Sequence, residues 1–371
     1  MHLSFWEQKN WFQSVDYTVV GSGIVGLQCA LRLRERFPSA KILILEKGVL
    51  PQGASTKNAG FACFGSISEI LDDLHSHTEE EVIQLVQKRW EGLQLLRKQV
   101  GDTVLDFKMY GGYELFLKAD GDFYEQCLKK MPFVNELLQP LFKAEVFTQQ
   151  IDRFAYKGIH EYLIYNPFEG QIDTGKMMQA LLKEAATKDI LLLNCQTVLG
   201  FLEHPSNVTV QLADFEFTTQ KLLFTTNGFA KELLPVAVQP ARAQVLITKP
   251  IPNLDIKGTF HLDRGYYYFR NFEDRILLGG GRNLDFEGET TTELSQTEQI
   301  QNRLEELLRE VILPNQPFEI DHRWSGIMGI GSHKKPIVEQ LSEHVYCGVR
   351  MGGMGVAIGS LIGKETADLI P

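Results

Sequence analysis

The apolar positions of this chain change period along its length, and each change marks an element. Thr18, Val19 and Val20 are β-branched and largely apolar, as a buried strand requires. A helical period follows, apolar at Leu27, Ala30, Leu31 and Leu33 and charged at Arg32, Arg34, Glu35 and Arg36. ILIL at 42–45 predicts a second buried strand. Residues 79–100 are apolar at Val82, Val86, Trp90, Leu93, Leu96 and Val100, predicting an amphipathic helix that Gly101 stops. Residues 109–117 read as a strand, and 123–142 as a helix interrupted at Pro132. A helix is expected over 173–188, a strand over 190–194, and short alternating strands over 208–226. The runs VLIT, GYYYFR and RILLGG between 245 and 279 predict an antiparallel sheet, with a hairpin turn at 271–274. A last amphipathic helix is expected over 297–312, and a strand-to-helix unit ends the chain, with its helix over 356–369. Near the start, Phe5, Trp6, Trp11 and Phe12 are expected to pack down as a strap.

Composition narrows the function classes. At 371 residues, 44% hydrophobic and 23% charged, the chain is that of a globular protein with two domains. A net charge of −10 argues against a nucleic-acid partner. No run approaches the roughly 18 apolar residues of a membrane span, and the N-terminus lacks the basic start and apolar core of a signal peptide. The five cysteines are scattered, with no C-x-x-C, so neither a disulfide framework nor a metal cluster is expected. A reducing, cytoplasmic setting fits best.

The chemistry sits in the glycines. Gly21, Gly23 and Gly26 form G-x-G-x-x-G between the first strand and its helix, and the second strand ends in Glu46. That context is the dinucleotide fingerprint. The first glycine allows the turn, the second lets backbone approach a pyrophosphate, and the third lets helix and strand pack closely. The helix N-terminus attracts phosphate. Glu46 can accept from ribose hydroxyls and disfavours a 2′-phosphate, which makes NADP a poor fit. A second cluster, Gly352, Gly353 and Gly355, follows the strand 344–349 and opens the last helix. Such a bare N-terminus suits the negative charge of a reduced flavin. The small-residue loop 53–60 lies between them in sequence. Three glycine-rich elements spread over the chain, with no second fingerprint, point to FAD rather than to a nicotinamide.

With these pieces in view, the chain resembles the D-amino-acid oxidase superfamily of FAD-dependent oxidoreductases, toward the glycine, sarcosine and γ-glutamylputrescine oxidases. VVGSGIVGL…ILILEKG, GASTKNAG, PARAQ, YYYFRNFEDRILLGGGRN and WSGIMGIGSHKKPIV…MGGMGVAIG carry the resemblance. It implies an α/β fold, a discontinuous Rossmann-like FAD-binding domain (1–75, 145–235 and 325–371) and a mixed-sheet α+β substrate domain (76–144 and 236–324). It implies that Gly21, Ser22, Gly23, Ile24, Val25, Gly26, Glu46 and Lys47 hold the adenine half. Ser55, Lys57, Asn58, Ala59 and Gly60 would lie along pyrophosphate and flavin. Val198 would offer its backbone to the adenine, and Thr226, Asn227 and Gly228 would close over the dinucleotide. Gly326, Gly352, Gly353, Met354, Gly355 and Val356 would face the flavin.

The departures from the family are informative. Sarcosine oxidases attach FAD through a cysteine at the position of Gly326, so FAD is expected to be non-covalent here. Met328 stands where D-amino-acid oxidases place a carboxylate-binding arginine, and Leu277 near where sarcosine oxidases place an oxygen-assisting lysine. Strand alternation sends Tyr268 and Arg270 to one face, where they could bind a substrate carboxylate and polar tail. Arg270 could instead pair with Glu273 or Asp274. Arg282 is a weaker candidate, and His322 and His333 could act as bases. The implied reaction is oxidation of a C–N bond in an amine or N-substituted amino acid by hydride transfer to flavin N5. The acceptor would be O2 or a quinone or other electron carrier. The alternatives are an FAD-dependent 2-hydroxyacid dehydrogenase and a flavin-binding subunit without an activity of its own.

Overall fold

The computed structural model describes residues 3–371. Among them, two large sheets carry the fold. The first grows from the fingerprint strand Val15–Val20, which pairs in parallel with Ile42–Leu45 on one side and Glu216–Phe224 on the other. Leu191–Leu193 extends it beyond Ile42–Leu45, and Val345–Val349 joins Glu216–Phe224 in parallel. These five strands point the same way, so their carboxyl ends share one edge. Ile337–Gln340 closes the far side antiparallel, and Val198–Glu203 and Val208–Leu212 branch off as an antiparallel flap.

Helix Ile24–Arg36 packs along the C-terminal helix Gly355–Asp368, and Glu79–Val100 packs on the latter's other flank. Glycine makes these crossings possible. A β-carbon at Gly363 would sit 2.5 Å from Gln28 Cβ and 2.6 Å from the Val25 carbonyl oxygen, and one at Gly92 would sit 2.4 Å from that of Ala357.

The second sheet is mostly antiparallel, in the order Ile320–Ile330, Gln239–Thr248, Arg275–Gly280, Tyr267–Phe272, Thr259–Leu262, Gly112–Glu114, Tyr162–Asn166, Thr148–Ile151. The expected hairpin is present, with Phe272 opposite Arg275 and Glu273 at φ 52° in the turn. A two-stranded ribbon, Phe61–Ala62 with Gly170–Gln171, also forms.

Several elements depart from the sequence reading. Thr148–Ile151 and Tyr162–Asn166, expected with the cofactor-binding part, complete the second sheet instead. Glu79–Val100, expected in the substrate part, packs against the C-terminal helix. Strand Ile320–Ile330 runs across the expected boundary at 324–325. The helix Gly121–Phe142 continues through Pro132 and Pro140, because Val134 and Leu138 beyond the first proline are buried in an apolar cluster that rewards continuation. The strap is anchored by Phe12 alone, which meets Phe215 and Phe217, while Phe5 and Trp6 are 66% and 65% exposed.

The helix crossing predicts a sharp contrast between glycines. Gly363→Ala should lower unfolding stability by about 1–3 kcal/mol in urea titrations, the usual cost of overpacking. Gly121→Ala, whose new methyl would find its nearest neighbour at 3.8 Å, should cost nothing. Equal effects would mean that the crossing is not held by close packing.

Candidate active site

The first three strands of the parallel set end beside one another, and each end leads into a turn. Val20 leads to Gly21, at φ 101°, and then to the helix Ile24–Arg36. Phe224 leads to Thr225, whose hydroxyl donates to the carbonyls of Val20 (2.8 Å) and Gly21 (3.1 Å). Val349 leads to Gly352 and Gly353, at φ 59° and 84°, and then to Gly355–Asp368. Neither helix has a side-chain N-cap. Their first-turn N–H groups, including those of Val25, Gly26 and Val356, have no intrahelical acceptor and face the carboxyl edge where ligands of α/β sheets bind.

The fingerprint residues are tied into one unit. Glu46 is buried and accepts from Ser22 N (3.0 Å), Ser22 Oγ (2.8 Å), Gly48 N (3.0 Å) and Gln52 N (3.2 Å). Its carboxylate therefore braces the glycine turn, with both oxygens engaged by protein donors. Ser55 Oγ accepts from Ile24 N at 3.0 Å, and a β-carbon at Gly23 would strike that oxygen at 2.8 Å. The loop 53–60 thus crosses the helix N-terminus with backbone-only clearance. Lys47 sets its ammonium over the Phe229 ring at 3.5 Å. Gln196 N donates to the Glu46 carbonyl, which brings the start of strand Val198–Glu203 to the same end. Asn227 Oδ1 accepts from the N–H groups of Arg350 and Met351 (both 3.1 Å), so it pins the second glycine turn. The neighbouring Thr226 hydroxyl is shielded without a partner, and Gly228 abuts the Met328 carbonyl. A bare turn, open N–H groups and an unpartnered hydroxyl fit a dinucleotide along this edge.

The loop 53–60 is laced to the second sheet. Asn58 Oδ1 accepts from Gly60 N and Thr174 Oγ1, both at 2.8 Å. Trp324 Nε1 donates to the Lys57 carbonyl at 2.9 Å, and a β-carbon at Gly326 would lie 3.0 Å from Lys57 Cβ. Arg270 is buried; its Nε donates to the Ala59 carbonyl, Nη2 to Ile172 (2.9 Å) and Nη1 to Asn271 (3.3 Å). Burial lowers its pKa to about 10, against the pull of Asp173 and Asp106.

The face of Tyr268 and Arg270 does look at this loop, as alternation predicts. The role expected of Arg270 does not follow. Three of its five N–H donors go to backbone carbonyls and it pairs with neither Glu273 nor Asp274, so in this structure it braces the loop. Tyr268 packs with Phe61 and with an apolar patch of Ala59, Val245, Leu277, Ile247 and Trp324. Burial pushes its phenol up to about 12, so it stays neutral. Met328 Sδ faces Gly353, 3.4 Å from where its β-carbon would be. Arg282 lies over Phe286, His333 is exposed beside His77, and His322 is exposed with its ring stacked on Trp324 of this patch, centroids 5.9 Å apart.

A second constellation was not anticipated. His261 and Glu114 are register partners on neighbouring strands and both are buried. His261 Nε2 meets Glu169 Oε1 at 2.5 Å, and Nδ1 lies 3.8 Å from Glu69 Oε2. Thr259 Oγ1 donates to Glu169 Oε1 at 2.8 Å, and Ser68 donates to Glu114 through its backbone N–H (3.1 Å) and its hydroxyl. Burial works against charge on His261, but Glu169 overcomes it and raises its pKa to about 9. Burial pushes Glu114 up to about 7, opposed by the Ser68 bonds. The His261 ring meets the edge of Phe61, which in turn meets Tyr268. The signal for this cluster lay in the strands YEL and FHL, where one ionisable residue stands between large apolar ones.

Two expectations follow. Arg270→Ala should weaken FAD retention at least about tenfold, since it leaves buried carbonyls unpaired at a cost of roughly 1–3 kcal/mol each. Flavin fluorescence on dilution measures this, and unchanged retention would return Arg270 to the list of substrate ligands. Glu114 ionises near 7 folded against 4.5 ordinarily, so its contribution to stability is neutral below pH 4.5 and turns increasingly unfavourable as pH rises to 7. Glu114→Gln should therefore gain on the wild type across that window by up to roughly 3 kcal/mol, from 1.36 kcal/mol per unit. A pH-independent difference in denaturant midpoints would contradict it.

Comparison with known proteins agrees with this arrangement. The glycine oxidase of Bacillus cereus superposes with a TM-score of 0.75 at 17% identity, covering 96% of this chain and 97% of that one. The L-proline dehydrogenase of P. horikoshii gives 0.74 at 18%, covering 96% and 93%. The iminodiacetate oxidase of Chelativorans gives 0.73 at 17%, covering 95% of both. In sequence, a probable oxidoreductase, OrdL, of Haemophilus influenzae is 19% identical over 381 aligned positions, spanning 96% of this chain and 83% of its own. Among the described residues no helix is long and apolar enough to cross a membrane. The family model for FAD dependent oxidoreductases (DAO) matches residues 16–369, and the chain belongs to that family of enzymes.

Proposed function

We propose that this enzyme oxidises a C–N bond of an amine or N-substituted amino acid, with FAD held without a covalent link. The observation that carries this is the apolar aromatic patch of Phe61, Tyr268 and Trp324 set against the loop 53–60, whose Ser55 meets the N-terminus of the fingerprint helix. FAD supplies the hydride acceptor, at N5. The chain's own residues orient an uncharged amine against that face and keep water from it. An apolar surround also favours the neutral amine, the form from which a hydride can leave. The side chains that could meet a free α-carboxylate argue for an amine. Met328 holds the position of the family's arginine, and Arg270 is engaged by carbonyls. Leu277, packed with Ala59 and Val245, stands in place of an oxygen-assisting lysine, so an electron carrier is favoured over O2 as acceptor. Non-covalent attachment is supported by glycine at 326 and by the absence of cysteine between Cys195 and Cys347.

Purified protein is expected to be yellow and to release its flavin into the supernatant on acid precipitation. Anaerobic mixing with secondary and primary amines or N-methyl amino acids should bleach the 450 nm band, on the order of hundreds of times faster than 2-hydroxy acids do, the discrimination that one misplaced polar group typically produces. Bleaching by 2-hydroxy acids alone would replace this reading with a hydroxyacid dehydrogenase. No bleaching by any panel would leave a flavin-binding subunit.

A further inference from the structure

The ribbon Phe61–Ala62 and Gly170–Gln171 pairs Phe61 with Gln171 and Ala62 with Gly170. Cys63 and Glu169 are the next residues along its two strands. The second sheet brings His261 to the same point. Cys63 Sγ, a Glu169 carboxylate oxygen and a His261 ring nitrogen all lie within 4.8 Å of one another, and all three residues are buried. We propose that these three side chains form a divalent-cation site, with Zn2+ the ion that the donor set fits.

The donor chemistry selects the metal. A thiolate with an imidazole and a carboxylate is a zinc-type set, softer than the all-oxygen sites of calcium or magnesium. The outer contacts are those a metal site needs. With Nε2 turned to the metal, His261 Nδ1 lies 3.8 Å from Glu69 Oε2, a charge contact beyond hydrogen-bond reach, so Glu69 would have to close by less than about 1 Å to orient the ring. Glu169 is oriented by the Thr259 hydroxyl at 2.8 Å. Glu69, Glu114 and Glu169 surround one imidazole, and the nearest buried arginines are spent elsewhere. Arg89 donates to the Phe64 carbonyl at 2.8 Å and lies 3.7 Å from Asp73, and Arg270 serves the loop carbonyls.

Binding exchanges protons for metal bonds. The Cys63 S–H proton and the proton shared by His261 and Glu169 leave to solvent, and Sγ, Nε2 and a Glu169 oxygen take up the ion; no electron moves. A fourth position stays open to water or another ligand. The ion would clip the ribbon that continues the flavin loop to the second sheet. Cys63 Sγ also lies 3.9 Å from Met354 Sδ, so the clip stands beside the turn that opens the C-terminal helix.

The test uses the flavin-loaded enzyme, incubated with ZnCl2, desalted, and assayed by elemental analysis and zinc K-edge absorption. A single equivalent of zinc per chain is expected, with one sulfur neighbour at about 2.3 Å and the remaining neighbours nitrogen or oxygen. Cys63→Ser should remove the sulfur shell, and His261→Asn should strip the metal. Glu69→Gln should weaken binding about 10–100-fold while leaving the ligands in place. No retained zinc, or zinc with only nitrogen and oxygen neighbours, would overturn the assignment. The wild-type spectrum alone decides the point if a variant fails to fold, and flavin content reports separately on the oxidoreductase reading.

Discussion

The geometry of this active site depends on one buried cation. Arg270 sits on the second sheet, yet its guanidinium donates to carbonyls of the loop 53–60 and of the segment that starts helix Thr174–Thr187. Burying a guanidinium is expensive, and only a full set of acceptors makes it tolerable. The protein supplies them from backbone, which fixes the loop's height above the sheet. Gly60 shows how tight the arrangement is, since a β-carbon there would meet the Ile172 carbonyl at 2.4 Å and Arg270 Nη2 at 2.7 Å. A loop held this way presents Ser55 to the fingerprint helix and Ala59 to the aromatic patch at the same time. The two halves of the molecule are thereby registered to each other through a side chain whose hydrogen bonds all go to backbone carbonyls.

What the sequence made legible follows from the range of the interactions. The fingerprint is local: strand, turn, helix and acid lie within thirty-odd residues, and each glycine's job is set by its immediate neighbours. The hairpin at 273–274 and the helix Glu79–Val100 are local in the same sense, and both appear where periodicity puts them. Partition of elements between the sheets is different, because it is decided at edges. Thr148–Ile151 and Tyr162–Asn166 are short strands whose pattern suits either sheet; pairing with Gly112–Glu114 settles the second, and the first follows by pairing with it. Pro132 misleads for a related reason: the local penalty of proline is real, but the buried face beyond it outweighs it. The strap fails in the opposite direction, since aromatic residues were credited with burial that only Phe12 achieves.

The site was legible at its glycines and obscure at its charges. Glycines report on backbone shape, which a motif can encode. Arg270 was visible as a candidate by alternation, and the face was right, but no spacing rule tells whether a guanidinium meets a ligand or three carbonyls. His261, Glu114 and Glu169 are far apart in sequence and adjacent only through strand register, with His261 opposite Glu114. A lone ionisable residue inside a short apolar strand was the one trace they left.

These placements divide the labour of the site into layers. The layer facing the loop is apolar and aromatic, with Tyr268 neutral and Leu277 where a charge could have stood. Behind Phe61 lies a second layer, polar and buried, in which His261 meets Glu169. On the reading proposed above, a low-dielectric front with polar groups behind it would act on a bound amine without contacting it, since Coulomb interactions decay slowly where water is excluded. Carboxylates placed there would favour positive charge developing on the nitrogen of such a substrate, the direction that the proposed C–N oxidation requires. An anchor arginine at position 328 would oppose that field. Its replacement by methionine and the acids behind Phe61 therefore act in the same sense, and the departure from the family's pattern is chemically coherent.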